Sequence, residues 1–278
     1  MQVTLAADAA SGISNVREDI QRTKKLLEGR EGSLNNYYAA LMYSVAEHHG
    51  PRHRHDFDQI RYAIEGDFVY ADGKVLPKGW VGYFPEGTYY GPQIRRPGLD
   101  MLFIEFGGAS GMGYLSKRQR RAAVEVLNAK GRFAKGMFSY TDENGIVHTE
   151  HAHEAMSEVA RGVRLPIPEP RYSEVVTMNP ASFAWIEDDE TPGIAHKWLG
   201  TFNERGARVG FIRLDAGITF SAGRHRAPEV LFLTKGAVTC QGRDCPMQSA
   251  FSVEAGEGPV PITATEPSEL LCLQLPVF

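Results

Sequence analysis

"HRHDFDQIRYAIEG", residues 53–66, sets His53 and His55 two apart, Gln59 four further on and Arg61 two beyond that, and closes on Gly66. The run reads as a β-strand, in which side chains two apart share a face. His53, His55, Gln59, Arg61 and Ala63 therefore fall on one side, and Tyr62 on the other. Two imidazoles with an amide look like a metal-ligand set in which a neutral, weaker donor replaces a carboxylate. Arg61 on the same face is the second unusual feature. A guanidinium pointing inward is costly unless a carboxylate or a bound anion meets it.

Outward from this stretch, turn signals recur every eight to twelve residues. "QIRYAIEGDFVYADGKVLPKGWVGYFPEGTYYGP" reads as strand, Glu-Gly-Asp turn, strand, Asp-Gly turn and two more short strands, with flanking strands at residues 38–46 and in "GLDMLFIEFGG". Such spacing predicts an antiparallel sandwich or barrel. Residues 111–175 differ in character. Ser116 and Gln119 have capping-box spacing ahead of an apolar stripe of Ala123, Val126 and Leu127, which predicts a helix. "HEAMSEVARG" predicts a second, with Ala155, Met156 and Val159 on one side, and "RLPIPEPR" an extended linker. β character then returns in "RVGFIRLDAGITF", "PEVLFLTKGAVTCQG", "SAFSVEAGEGPV" and "SELLCLQLPVF". "QIRYAIEG" overlays "EVLFLTKG" at an offset of 170, so the two β regions form an internal repeat.

The spacing His-x-His, three or four residues, Glu, six residues, Gly, followed by Gly-x5-Pro-x-Gly-x2-His, is that of the cupins, and this chain resembles them. His53, His55, Gln59 and Gly66 fit the first element; Gly79, Pro85, Gly87 and Tyr90 fit the second. The resemblance, with the repeat, implies an all-β bicupin: two antiparallel jelly-roll barrels with a partly helical segment between them. It divides the chain into an N-terminal arm at 1–30, a first barrel with the functional site at 31–110, a helical insertion and Pro-rich linker at 111–175, and a second barrel at 176–278. It implies one divalent metal ion (Fe, Mn, Ni or Zn) on His53, His55 and Gln59. Gln59 and Tyr90 depart from the family's glutamate and last histidine, so a metal-free polar pocket is the alternative. In the second barrel His225 and Glu229 keep ligand positions while Gly223 and Pro259 replace the other two, which leaves a packed structural partner.

Two accounts of Arg61 stay open: an internal salt bridge with Glu105, or a fork for a substrate carboxylate. Tyr83, Tyr89 and Tyr90 are expected as aromatic walls of the mouth, and Tyr90 also as a weak ligand or general acid. His148, His151 and His153 are read as a polar helix start on the surface, capped by Thr149, with a second metal site as the alternative. Asn15 and Glu18 have capping-box spacing, and Ile13, Val16 and Ile20 share a face, so the arm is expected to hold a short helix. The cupin resemblance implies that such an arm pairs with another subunit, in a homodimer.

Composition narrows the function classes. The chain has 278 residues, a net charge of −4, and no block of five like charges; the basic run at 116–130 reads as a solvated helix face, which disfavours nucleic acid as a partner. No apolar run is long enough to span a bilayer. Three cysteines, an odd and sparse set, form no disulfide framework and point to the cytosol. The expectation is a metalloenzyme acting on a small carboxylate-bearing molecule, aromatic or not, with dioxygenase-type chemistry slightly ahead of isomerase or lyase. A non-enzymatic small-molecule-binding or sensing cupin without metal is the alternative.

Overall fold

The computed structural model describes residues 1–13, 21–134, 136–164 and 166–278. The helix expected from Asn15, Val16, Glu18 and Ile20 lies outside them. Among the described residues the chain is mostly antiparallel strand, with two α-helices.

Two seven-stranded sheets repeat one another position by position. The first runs Val176–Met178, Val81–Phe84, Asp58–Glu65, Asp100–Phe106, Tyr37–Ser44, Gln21–Glu28, Ser11–Ile13. The second runs Gln2–Thr4, Ala250–Val253, Glu229–Lys235, Ser268–Gln274, Arg208–Leu214, Ile194–Thr201, Ile186–Glu187. Each is faced by a four-stranded sheet, built in the first barrel from His48–Gly50, Gln93–Arg95, Phe68–Ala71 and Lys74–Leu76. Gln59 and Glu229 open equivalent central strands, as the repeat predicts.

The outermost strands cross between the repeats. Gln2–Thr4 pairs with Ala250–Val253 of the second barrel, and Val176–Met178 pairs with Val81–Phe84 of the first. Residues 1–30, expected as an arm, thus supply strands to both sheets. Gln2–Thr4 and Gln21–Glu28 are both paired within the chain.

The large sheets pack face to face. Tyr37, Leu41, Ile60, Tyr83 and Leu102 from one meet Val209, Phe211, Val230, Phe232 and Leu271 from the other in one continuous core. Their opposite faces line the barrel interiors. Both faces being covered, Tyr37–Ser44 is buried almost throughout, which explains why "YYAALM" and "LLCL" do not alternate.

The insertion carries helices Lys117–Asn128 and Ala152–Arg161, packed together through Ala123, Leu127, Ala155 and Met156. Ser116 and Gln119 form the expected capping box. Val126, expected in the apolar stripe, is exposed. Between the helices lies a three-stranded sheet, Gly131–Ala134, Met137–Thr141 and Val147–His151, which the sequence did not announce. No helix among the described residues is long and apolar enough to cross a membrane.

Candidate functional site

Strand Asp58–Glu65 turns Gln59 and Arg61 into the first barrel and Ile60 toward the second. His53 reaches the same interior through an isolated bridge with Tyr90, closed by His53 N–H to Tyr90 carbonyl at 2.9 Å and the reciprocal bond at 3.0 Å. Gly91 permits this approach. A Cβ there would lie 2.7 Å from the Pro51 carbonyl oxygen, and its φ of +99° disfavours any side chain.

Four side chains converge on the Tyr90 hydroxyl. His53 Nε2 and His55 Nε2 each lie 3.0 Å from it, Arg61 Nη2 2.9 Å and Gln59 Nε2 3.3 Å. Arg61 also gives two N–H groups to Gln59 Oε1, from Nε at 3.1 Å and Nη2 at 2.8 Å. His53 Nδ1 sits 2.7 Å from the Pro51 carbonyl, which can only accept, so in the neutral ring the Nε2 lone pair faces Tyr90. Burial, then the neighbouring His153, His53, Arg120 and Arg61, hold His55 well below the usual histidine range. Neutral His55 donates through Nε2 and leaves Nδ1 buried and without a partner.

Arg61 is only 5% exposed, and its hydrogen bonds go to neutral oxygens. Its Nη1 is buried without a partner. The guanidinium lies 4.3 Å from the Phe84 ring centroid and about 5 Å from those of Phe68 and Tyr90, which offsets part of its desolvation. The expected Glu105 partner is engaged elsewhere: its carboxylate takes Tyr114 at 2.6 Å, Arg120 at 3.2 Å and Lys117 at 3.4 Å. Although burial alone would raise its pKa, Lys117, Arg120, the Tyr114 hydrogen bond and the more distant Arg61 hold Glu105 down at about 2.

The tyrosines separate. Tyr83 pairs in register with Ile60 and so faces the second barrel, where it stacks on Phe202 at 4.5 Å and donates to Asp58 at 2.9 Å. It is a seam residue and lines no mouth. Tyr89 is exposed, with Arg52 and Arg54 over its ring at 4.2 and 4.9 Å. Arg52, Tyr70, Lys74, Tyr89 and Tyr90 share a cleft of about 410 Å³.

The histidine cluster also separates. His148 pairs with Asp142 at 2.8 Å, and His151, in place of Thr149, is the N-cap of helix Ala152–Arg161. His153, expected at the surface, is buried against His55 with ring centroids 4.9 Å apart. Asp56 explains this. It accepts from His153 at 2.8 Å, Ser157 at 3.2 Å and Arg161 at 2.8 Å, three residues spaced along one helix face. The i, i+4, i+8 spacing was visible in the sequence; its target was not.

In the second barrel, Glu229 accepts from Gly223 N–H at 2.6 Å and from Gln274 at 3.0 Å, above an interior filled by Leu231, Leu233, Phe251 and Val253. A side chain at Gly223 would strike Val253 Cγ1 at 2.4 Å. Gly258-Pro259 matches Gly91-Pro92, so Glu257, rather than Pro259, stands in the place of Tyr90.

Solved structures repeat this architecture along the whole chain. A Nostoc punctiforme protein described provisionally as a dioxygenase superposes with a TM-score of 0.64 at 10% identity, over 98% of this chain and 82% of that one. The fold is a bicupin. Bacterial pirin of Escherichia coli in complex with nickel(II) matches this chain with a TM-score of 0.53 at 13% identity, covering 100% of this chain and 99% of that one. HEPD of Streptomyces albus, bound to 2-hydroxyethylphosphonate and Fe(II), gives 0.59 at 11% identity over 99% and 76% of the two chains. No family model and no curated protein matches the sequence.

Divalent metals therefore occur in neighbours of this fold, but the donors here do not fit one. Among the described residues no three His, Cys, Asp or Glu side chains gather at a metal-binding point. Gln59 presents N–H rather than oxygen to the centre, and a guanidinium nitrogen stands 2.9 Å from it. The chain surrounds that point with hydrogen-bond donors.

Proposed function

We propose that the first barrel binds a small carboxylate-bearing molecule at Arg61, in a polar pocket that works without a resident metal. The buried guanidinium of Arg61, with no carboxylate hydrogen-bonded to it and Glu105 acting on it only at longer range, carries this reading. A buried arginine without an anion costs several kcal/mol, roughly what a bound carboxylate recovers through a bidentate fork. Nη1 is ready for one ligand oxygen, and Nη2 can supply the second by leaving Tyr90. The Tyr90 hydroxyl, between two imidazoles, then stands beside the bound acid as hydrogen-bond or proton donor. Tyr89, flanked by Arg52 and Arg54 in the adjoining cleft, suits a planar or aromatic acid.

The test compares wild type with Arg61→Met by melting and calorimetry against a panel of aliphatic and aromatic acids. Wild type should be stabilised by some acids, whereas the variant should melt at least as high without ligand and respond to none. A variant that melts far lower, with no acid stabilising wild type, would make Arg61 structural and end this reading.

A second reading, a metal-dependent oxygenase-type enzyme, is favoured by the fold neighbours solved with nickel(II) and Fe(II). It would require the centre to open around His53 and His55.

A further inference from the structure

We infer that Arg61 has converted the metal position of this barrel into a site that receives an oxygen atom. The argument starts from the amide of Gln59. Arg61 directs two N–H groups onto one atom of that amide, and only its oxygen can take them. The amide nitrogen is thereby forced toward the point where His53 Nε2 and His55 Nε2 meet. The opposite amide orientation would set N–H against N–H at Arg61. One residue therefore removes the oxygen donor that a glutamine could offer a metal and adds its own positive charge at 2.9 Å from the same point.

The Tyr90 hydroxyl shows what that point accepts. It donates to the His53 lone pair and faces three donors, from His55, Gln59 and Arg61, with only two lone pairs. The site is over-supplied with protons, and one further buried donor, Arg61 Nη1, has no partner. A carboxylate or phosphonate, with more lone pairs and a negative charge, satisfies the donors of His55, Gln59 and Arg61 better than a phenol; a divalent cation would find only the His53 lone pair at that point. This deepens the reading of the pocket as an acid-binding one, but its metal arm stands independently.

The experiment measures metal content after growth in medium supplemented with Fe(II), Mn(II), Ni(II) and Zn(II), followed by titration of the metal-stripped chain with each ion. Wild type should hold close to no metal. Gln59→Glu alone should stay empty, because Arg61 will pair with the new carboxylate. Tyr90→His/Gln59→Glu/Arg61→Leu, checked for native circular dichroism, should take up about one ion per chain, since three or four ligands then face an open position. Wild type carrying stoichiometric metal that is lost in His53→Ala/His55→Ala would overturn the inference, whatever the triple variant does. Because acid binding is measured separately, wild type that holds metal and also binds acids sinks this inference and the metal-free part of the proposed function, while leaving carboxylate binding at Arg61 standing.

Discussion

Tyr90 and Arg61 meet at the point where His53, His55 and Gln59 converge in the first barrel, and the phenol oxygen is what satisfies the donors there. Tyr90→Phe removes it and leaves buried N–H groups of Gln59 and Arg61 without an acceptor. Each such group costs about 1–3 kcal/mol, so chemical denaturation of the variant should show a loss of at least that size. An unchanged midpoint would mean that the hydroxyl holds no donor. Much of this site was legible. The period-two pattern alone put His53, His55, Gln59 and Arg61 on one face, and it needed no partner strand to do so. Tyr83 shows the limit of that logic. Its direction depends on the register Ile60↔Tyr83, which belongs to two strands and is written in neither. The partner of Arg61 was illegible for a similar reason. Glu105 is the cross-strand neighbour of Gln59, yet cations of the insertion claim its carboxylate.

At the scale of elements, the second helix of the insertion is fastened to the barrel by one carboxylate. Helix Ala152–Arg161 lays His153, Ser157 and Arg161 on Asp56, whose pKa is driven below the ordinary carboxylate range by His153 and Arg161 despite its burial. Asp56→Ala leaves a largely buried arginine unpaired, at a cost of about 3–5 kcal/mol. The loss should be local. Hydrogen exchange across Ala152–Arg161 should accelerate by about 100-fold or more while strand Asp58–Glu65 keeps its protection. Equal acceleration of both would show that the insertion and barrel unfold as one unit. The helices here were readable because capping and apolar periodicity are local properties. The sheet at 131–151 was not, because its strands bury little beyond Phe138 and carry no alternating apolar face.

Over the whole molecule, the two barrels are joined by exchanged strands and by a seam that buries polar groups along with its apolar core. Repeat spacing announced the barrels themselves. The exchange was hidden, since three-residue strands at Gln2–Thr4 and Val176–Met178 are too short to give a pattern. Asp58 is the seam's most exacting group. Tyr83 donates to it at 2.9 Å, Asn203 of the second barrel at 3.2 Å and the Glu86 N–H at 2.8 Å, while the Glu86 carboxylate is held nearby by Arg171 and Ser110. Burial raises the Asp58 carboxyl to about 7 from 3.8, with the charge of Glu86 adding to the rise and the three hydrogen bonds opposing it. A raised carboxyl means that the folded chain keeps a proton which the unfolded chain releases. Stability from this group is therefore greatest below the unfolded value, falls as pH climbs toward 7, and levels off above it; the full span is on the order of 4 kcal/mol. Denaturant unfolding should accordingly find wild type weaker at about pH 8 than at about pH 5. In Asp58→Asn, which keeps an acceptor for Glu86 N–H but cannot ionise, most of that difference should vanish. A variant with the wild-type pH slope would show that Asp58 does not titrate in the seam, and that the barrels are held together across this range by their apolar faces and exchanged strands alone.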